Sequence, residues 1–317
     1  MLLSKNKEMM KKITYILGLF SMLTFQSCLD MEPKTQLADT NYWQTPDHFK
    51  LFATQFYGWT VDFKQLDDSP HSDVRSDLRT GITLDVYSNG TNSIPSSDKT
   101  YTNNYNRIRQ VNTLLQQAEG YAAPADIETS VGEAHFFRAY CYFDLLQVYG
   151  DVIITRTPLD IDSPEMQMAR NSRDEVVDFI LEDLEEAIRL LPEANEISSK
   201  DEGRLSSQAA SAFLSRVALY EGTWQKFRNG GQNNDRSSAL LDIAATSAHD
   251  VIESGFFELF APEELGTEAY KYLFILENDK SNPAGITKSG NKEYIFTRRH
   301  DPTLASIGFN ITQGRLG

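Results

Sequence analysis

Residues 132–150 read GEAHFFRAYCYFDLLQVYG. Wound as a helix, this stretch carries aromatic and aliphatic side chains on nearly every side, the pattern of a helix buried at the centre of a domain rather than lying on its surface. Ser130 and Glu133, three apart at its start, match the capping box, in which hydroxyl and carboxylate satisfy reciprocal backbone donors. Gly150 is the stop signal.

The flanking sequence keeps the helical period. Upstream, Tyr105, Ile108, Val111, Leu114 and Leu115 recur at helical spacing. Earlier still, Thr45 and Pro46 read as N-cap and N1, followed by Phe49, Phe52, Ala53, Phe56 and Tyr57. Downstream, a second capping box, Ser172 to Glu175, opens a helix with Val177, Ile180, Leu181, Leu184, Ile188 and Leu191 on one face, and Pro192 closes it. Helices are predicted at about 206–227 and 237–254, with a Gly/Asn turn at 229–234. Strand signals are confined to 152–155 and 294–297. The fold class is therefore mostly α. Hairpins joined by short turns, with Ala187 and Pro192 at marker spacing, point to tetratricopeptide-like helical hairpins carrying long loops.

The longest such loop is 67–100, rich in Ser, Asp, Asn, Gly and Pro. Long loops in compact domains tend to be functional, and in this one and directly after it aromatics stand beside amides: Tyr87, Asn89, Asn92, Tyr101, Asn103 and Asn104. A sugar ring stacks its apolar face on an aromatic ring and pairs its hydroxyl rim with amides and carboxylates. Tyr87, Tyr101 and Asn103 are the candidate ligand-binding residues.

The first residues speak to location. Lys5, Lys7, Lys11 and Lys12 precede an apolar run of 13 residues, 13–25, too short for a bilayer that needs about 20 and typical of a cleaved signal. Ser27 directly before Cys28 resembles a lipobox, with Phe25 where leucine is usual. The expected organisation is a signal peptide at 1–27, lipid on Cys28, a polar tether over 28–41 and a helical domain over 42–317. With Cys28 lipidated, Cys141 has no partner for an intramolecular disulfide. A formal net charge of −15 disfavours nucleic acid and repels anionic headgroups, so membrane contact would come through the lipid anchor only.

Catalytic motifs are missing: no GxxxxGK[ST], GxGxxG, GxSxG or HExxH occurs. His48, His71, His135, His249 and His300 are scattered, without an i, i+4 ligand pair. Ser96 and Lys99 fit an SxxK pattern in a turn-rich loop with no SDN or KTG to follow. Glu182, Asp183, Glu185 and Glu186 read as a solvated helix face. Asp67, Asp68, Asp73, Asp77 and Asp85 supply loop carboxylates of the kind a structural calcium ion takes, but their spacing misses the EF-hand pattern and they read as turn-forming residues. No metal, no cofactor and no enzymatic activity are expected.

Several segments together resemble the SusD/RagB family of outer-membrane nutrient-binding lipoproteins: SCLDMEPKTQ at 27–36, NYWQTPDHF at 41–49, YNRIRQVNTLL at 105–115, GEAHFFRAYCYFDLLQVYGDV at 132–152, GRLSSQAASAFLSRVALYEG at 203–222 and NKEYIF at 291–296. The resemblance implies a SusD-like helical fold, display on the cell exterior, capture of an oligosaccharide or polysaccharide, and a SusC-like TonB-dependent β-barrel transporter as partner, with the lipoprotein as its lid. In the family's glycan binders, ligand contacts lie in the loop before the helix that matches YNRIRQVN, the region of Tyr87, Tyr101 and Asn103. Family members are usually much longer, with a C-terminal half that bears part of the ligand site. The chain ends at Gly317, so a fragment lacking that half is expected. A peptide-binding role in the same family and a lipid-anchored scaffold without small ligand are the alternatives; an anchored hydrolase would need an acid/base pair that is not evident.

Overall fold

The structure is a computed structural model and describes residues 42–60, 85–228, 234–276 and 278–297. The chain separates into two units, Met1–Gln44 and Thr45–Gly317. In the first, the described Tyr42 and Trp43 rings meet edge-on at 5.0 Å.

The second unit is helical. Its elements are α1 (Pro46–Thr54), α2 (Lys99–Glu119), α3 (Glu128–Tyr149), α4 (Arg173–Leu190), α5 (Ser207–Phe227), α6 (Asn234–Glu253) and the single turn α7 (Ala269–Tyr272). Each of α2 to α5 packs on the next in chain order, so every hairpin buries the face its neighbour leaves open. Helix α3 is the axis of the core. Phe137, Cys141, Tyr142, Leu145 and Leu146 have no exposed surface, and burying each of the large ones contributes about 1.5–3 kcal/mol. Phe137 also meets Phe56, Tyr57 and Trp59 at 5.8, 5.1 and 5.9 Å, which ties the 3₁₀ turn after α1, Gln55–Trp59, to the core. Gly150 ends α3 with φ of +70°, a conformation cheap only for glycine. At Gly222 in α5 a Cβ would stand 3.0 Å from Leu241 Cγ, so the missing side chain is what lets α5 and α6 approach.

The helix starts show which local signals decide. Ser172 and Glu175 form the predicted reciprocal cap: the Glu175 carboxylate accepts from the Ser172 amide at 2.7 Å and the Ser172 hydroxyl from the Glu175 amide at 3.4 Å. Thr45 stands at the N-cap of α1 with Pro46 following, but its hydroxyl makes no capping bond. Ser130 and Glu133 are not a cap. Helix α3 starts earlier, from the Pro124–Ile127 3₁₀ turn. Glu133, with no exposed surface, accepts from Arg204 Nε at 2.7 Å, from Arg204 Nη2 and from the Tyr57 hydroxyl at 2.6 Å. The capping role lost to partners 71 and 76 residues away in sequence.

Asp183 departs from the solvated face as well. Glu182 is exposed and Glu186 half-buried, and they pair with Arg156 and Arg189, whereas Asp183 is 1% exposed. It accepts from Arg138 Nε and Nη2 at 2.8 and 2.7 Å, and its Oδ1 lies 2.7 Å from His135 Nδ1. Arg138 extends the network to Asn112 Oδ1 at 2.8 Å, so α2, α3 and α4 share one buried polar web.

Neither predicted strand forms. At 152–155 only an isolated bridge from Val152 to Asn171 appears, because helical side chains take up the backbone groups a strand partner would have used. At 294–297 no strand is present; Phe296 packs instead on Tyr57 at 6.2 Å and Phe136 at 6.4 Å. Among the described residues no helix is long and apolar enough to cross a membrane.

Candidate functional site

The N-terminal turns of α2 and the long connection from α3 to α4 build a groove. Asp98 starts α2, its carboxylate accepting from the Thr100 amide at 2.7 Å. One turn apart on this helix, the Tyr101 and Tyr105 rings lie 4.6 Å centroid to centroid. Tyr149, at the end of α3, meets Tyr101 edge-on at 5.3 Å. Arg109 follows one turn further on.

The opposite wall is the 153–166 segment, held against the helices by side chains. The Tyr105 hydroxyl donates to Ile153 O at 2.7 Å. The Tyr142 hydroxyl accepts from the Thr155 amide at 2.8 Å. The Asn112 amide donates to Thr155 O at 2.9 Å and to Thr157 O at 3.2 Å, and Arg109 Nη1 donates to Leu159 O. Beyond that point the Ser163 hydroxyl accepts from the Asp160 amide at 2.8 Å, closing a turn before the Pro164–Gln167 3₁₀ turn. Between the walls lies a cavity of about 530 Å³.

Its lining mixes two kinds of surface. Tyr101, Tyr105, Ile153, Leu159, Ile161 and Met166 supply apolar area; Asn106, Arg109, Thr157, Asp160 and Glu165 supply polar groups. Ile161 is 93% exposed and Met166 55%, so both stand at the lip. Burial, with Tyr142 and Tyr101 nearby, raises the Tyr105 pKa far above the ordinary phenol value, and burial pushes Tyr142 up to about 12. Both hydroxyls stay protonated at physiological pH. The arrangement offers ring faces, hydrogen-bond donors and two carboxylates, with no nucleophile poised beside a base.

Of the residues singled out from sequence, Tyr101 lines this cavity. It stands in the first turn of α2 rather than in a loop, because the Asp98 cap starts the helix at Lys99. Asn103 is on the exposed side of the same helix. Tyr87 sits on the turn at 85–91, where the Asp85 carboxylate accepts from its amide at 2.8 Å; neither it nor Asn103 lines the cavity. Asn104 is buried and its amide donates to Asp144 at 2.6 Å. Cys28, Asp67, Asp68, Asp73 and Asp77 lie outside the described residues. Among the described residues no group of three or more His, Cys, Asp or Glu is arranged to hold a metal ion. Burial pushes the Cys141 thiol up to about 12, which leaves it inert.

Sequence reasoning missed Tyr105, Arg109 and the wall at 157–166. The first two had a signal: with Tyr101 they form an i, i+4, i+8 stripe. So did the wall, since the connection from α3 to α4 is longer than a compact helical hairpin needs.

The architecture defines a tetratricopeptide-like helical-hairpin protein with an aromatic groove beside its second helix. A family model described as "Starch-binding associating with outer membrane" matches residues 48–219. The chain belongs to this SusD-like family. It is 30% identical over 163 residues to a SusD-like protein of Bacteroides ovatus, which covers 51% of this chain and 27% of that one. With the SusD-like protein P38 of Formosa agariphila it shares 27% identity over 302 residues, 91% of this chain and 53% of the relative. A solved SusD-like protein from Bacteroides fragilis superposes with a TM-score of 0.61 at 25% identity, over 83% of this chain and 46% of that one. The chain thus spans about half, or less, of the length of the relatives it matches.

Proposed function

We propose that this protein is a cell-surface capture lipoprotein that binds an oligosaccharide in the groove between α2 and the 153–166 segment and passes it to a SusC-like TonB-dependent transporter, without cleaving it. The observation that carries this reading is the Tyr101–Tyr105 ring pair set into a cavity with a polar rim, in a family described as starch-binding. Phenol faces suit the apolar face of a sugar, and Asn106, Arg109, Asp160 and Glu165 suit its hydroxyls. The reading includes a signal peptide at 1–27, a lipid on Cys28, a tether over 28–41 and attachment to the outer membrane facing outwards.

A glycan panel titrated by calorimetry tests it. Binding of at least one oligosaccharide without product release is expected. Failure of every glycan, with binding of peptides instead, would move the assignment to a peptide carrier; no small ligand at all would favour a scaffold, and released product an enzyme. Cys28→Ala should move the protein from the membrane to the soluble fraction, and retention in the membrane would refute lipidation.

A further inference from the structure

The groove's charges bear on which glycans it takes, a question that rests on the capture reading above. Three ionisable side chains other than tyrosine line it: Arg109, Asp160 and Glu165. Arg109 is partly engaged, since its Nη1 donates to the Leu159 carbonyl of the opposite wall. The carboxylates are differently placed. The turn at 160–163 is closed through the Asp160 backbone, its amide donating to the Ser163 hydroxyl at 2.8 Å and its carbonyl accepting from the Ser163 amide at 3.1 Å. That leaves the Asp160 carboxylate outside the turn's own bonding, on an exposed residue. Glu165 is in the following 3₁₀ turn, half-buried at the cavity wall. Neither carboxylate is in an ion pair with another described residue.

We infer that the groove selects neutral, hydroxyl-rich glycans against those bearing uronate or sulfate groups, with Asp160 and Glu165 as the discriminating residues. Each carboxylate oxygen accepts from sugar hydroxyls, and charged acceptors make the stronger hydrogen bonds. A uronate or sulfate in the same place meets like charge at a rim open to solvent, a repulsion that is strongest at low ionic strength. One guanidinium against two carboxylates leaves the lining net negative, in a chain whose net charge is −15. The apolar lip of Ile161 and Met166 adds surface that a charged substituent cannot use.

The test titrates the full chain with neutral hexasaccharides (malto-, cello-, laminari- and mannohexaose) and with hexagalacturonate and hexamannuronate, at low and high salt. The best neutral ligand should bind at least about tenfold more tightly than either uronate at low ionic strength. High salt, which shortens the Debye length to about 3 Å at 1 M, should narrow the gap. Asp160→Asn with Glu165→Gln, near-isosteric at the surface, should narrow it further by improving uronate affinity. Uronates bound as tightly as neutral sugars, or more tightly through Arg109, would overturn the selectivity and leave glycan capture standing. A gap that the double substitution does not change would overturn the assignment to Asp160 and Glu165. If no sugar of either class binds, the capture reading itself fails and the selectivity with it.

Discussion

Asp183→Leu is the substitution whose cost the structure defines most sharply. Asp183 is 1% exposed and carries two hydrogen bonds from Arg138, whose side chain is only 6% exposed. Removing the carboxylate leaves a guanidinium in the core with Asn112 as its remaining hydrogen-bond partner, and breaking such a pair from one side costs about 3–5 kcal/mol. With a urea m-value of about 3 kcal/mol/M for a chain of this size, the unfolding midpoint should fall by about 1–1.7 M. Adding Arg138→Met removes the stranded charge and puts apolar volume in its place, so the double variant should recover more than half of the loss. Urea unfolding followed by circular dichroism reads both steps. A loss below about 1 kcal/mol for the single variant, or a double variant no more stable than the single, would refute the claim that this pair is buried and mutually dependent.

Acid should act on the same pair. Burial pushes the Asp183 carboxyl up, but the hydrogen bonds and charge of Arg138, with His135, outweigh it and hold it below the usual carboxylate range. A depressed folded-state pKa stabilises fully above the unfolded value of about 3.9 and is lost as pH falls through the lower folded value. The stability difference between wild type and the Asp183→Leu/Arg138→Met variant should therefore shrink below about pH 4; a difference that stays flat through that range would contradict the assignment. Tyr57→Phe keeps the ring but deletes a hydroxyl that donates to Glu133 at 2.6 Å and accepts from the buried Leu205 amide at 2.9 Å. It should cost about 1–3 kcal/mol, and an unchanged melting temperature would show that the bonds carry no net weight.

Most of the helical frame was legible because its signals are local. Ser172 with Glu175 marked a helix start, Pro192 a stop, and the apolar wrap of 134–149 a central helix. The same rules failed where distant partners compete. Ser130 and Glu133 have the right types at the right spacing, yet Arg204 and Tyr57 claim the carboxylate. Asp183 was masked by its acidic neighbours, although it falls three residues after Ile180 and four before Ala187, on the buried face. The 152–155 segment carries strand composition, but hydroxyl and amide groups of Tyr105, Tyr142 and Asn112 bind it to the helices instead. For the groove, aromatic content pointed to Tyr101; its second wall was signalled only by the length of a connection without periodicity, which does not say which of its residues face the helix.

The central claim is that a sugar ring rests on the Tyr101–Tyr105 face. Comparing the dissociation constant of the best-bound neutral oligosaccharide for wild type and Tyr101→Ala, with circular dichroism confirming an intact fold, tests it most directly. Loss of the ring should weaken binding by about 1–1.4 kcal/mol, about five- to tenfold; affinity equal to wild type would contradict the assignment of the groove.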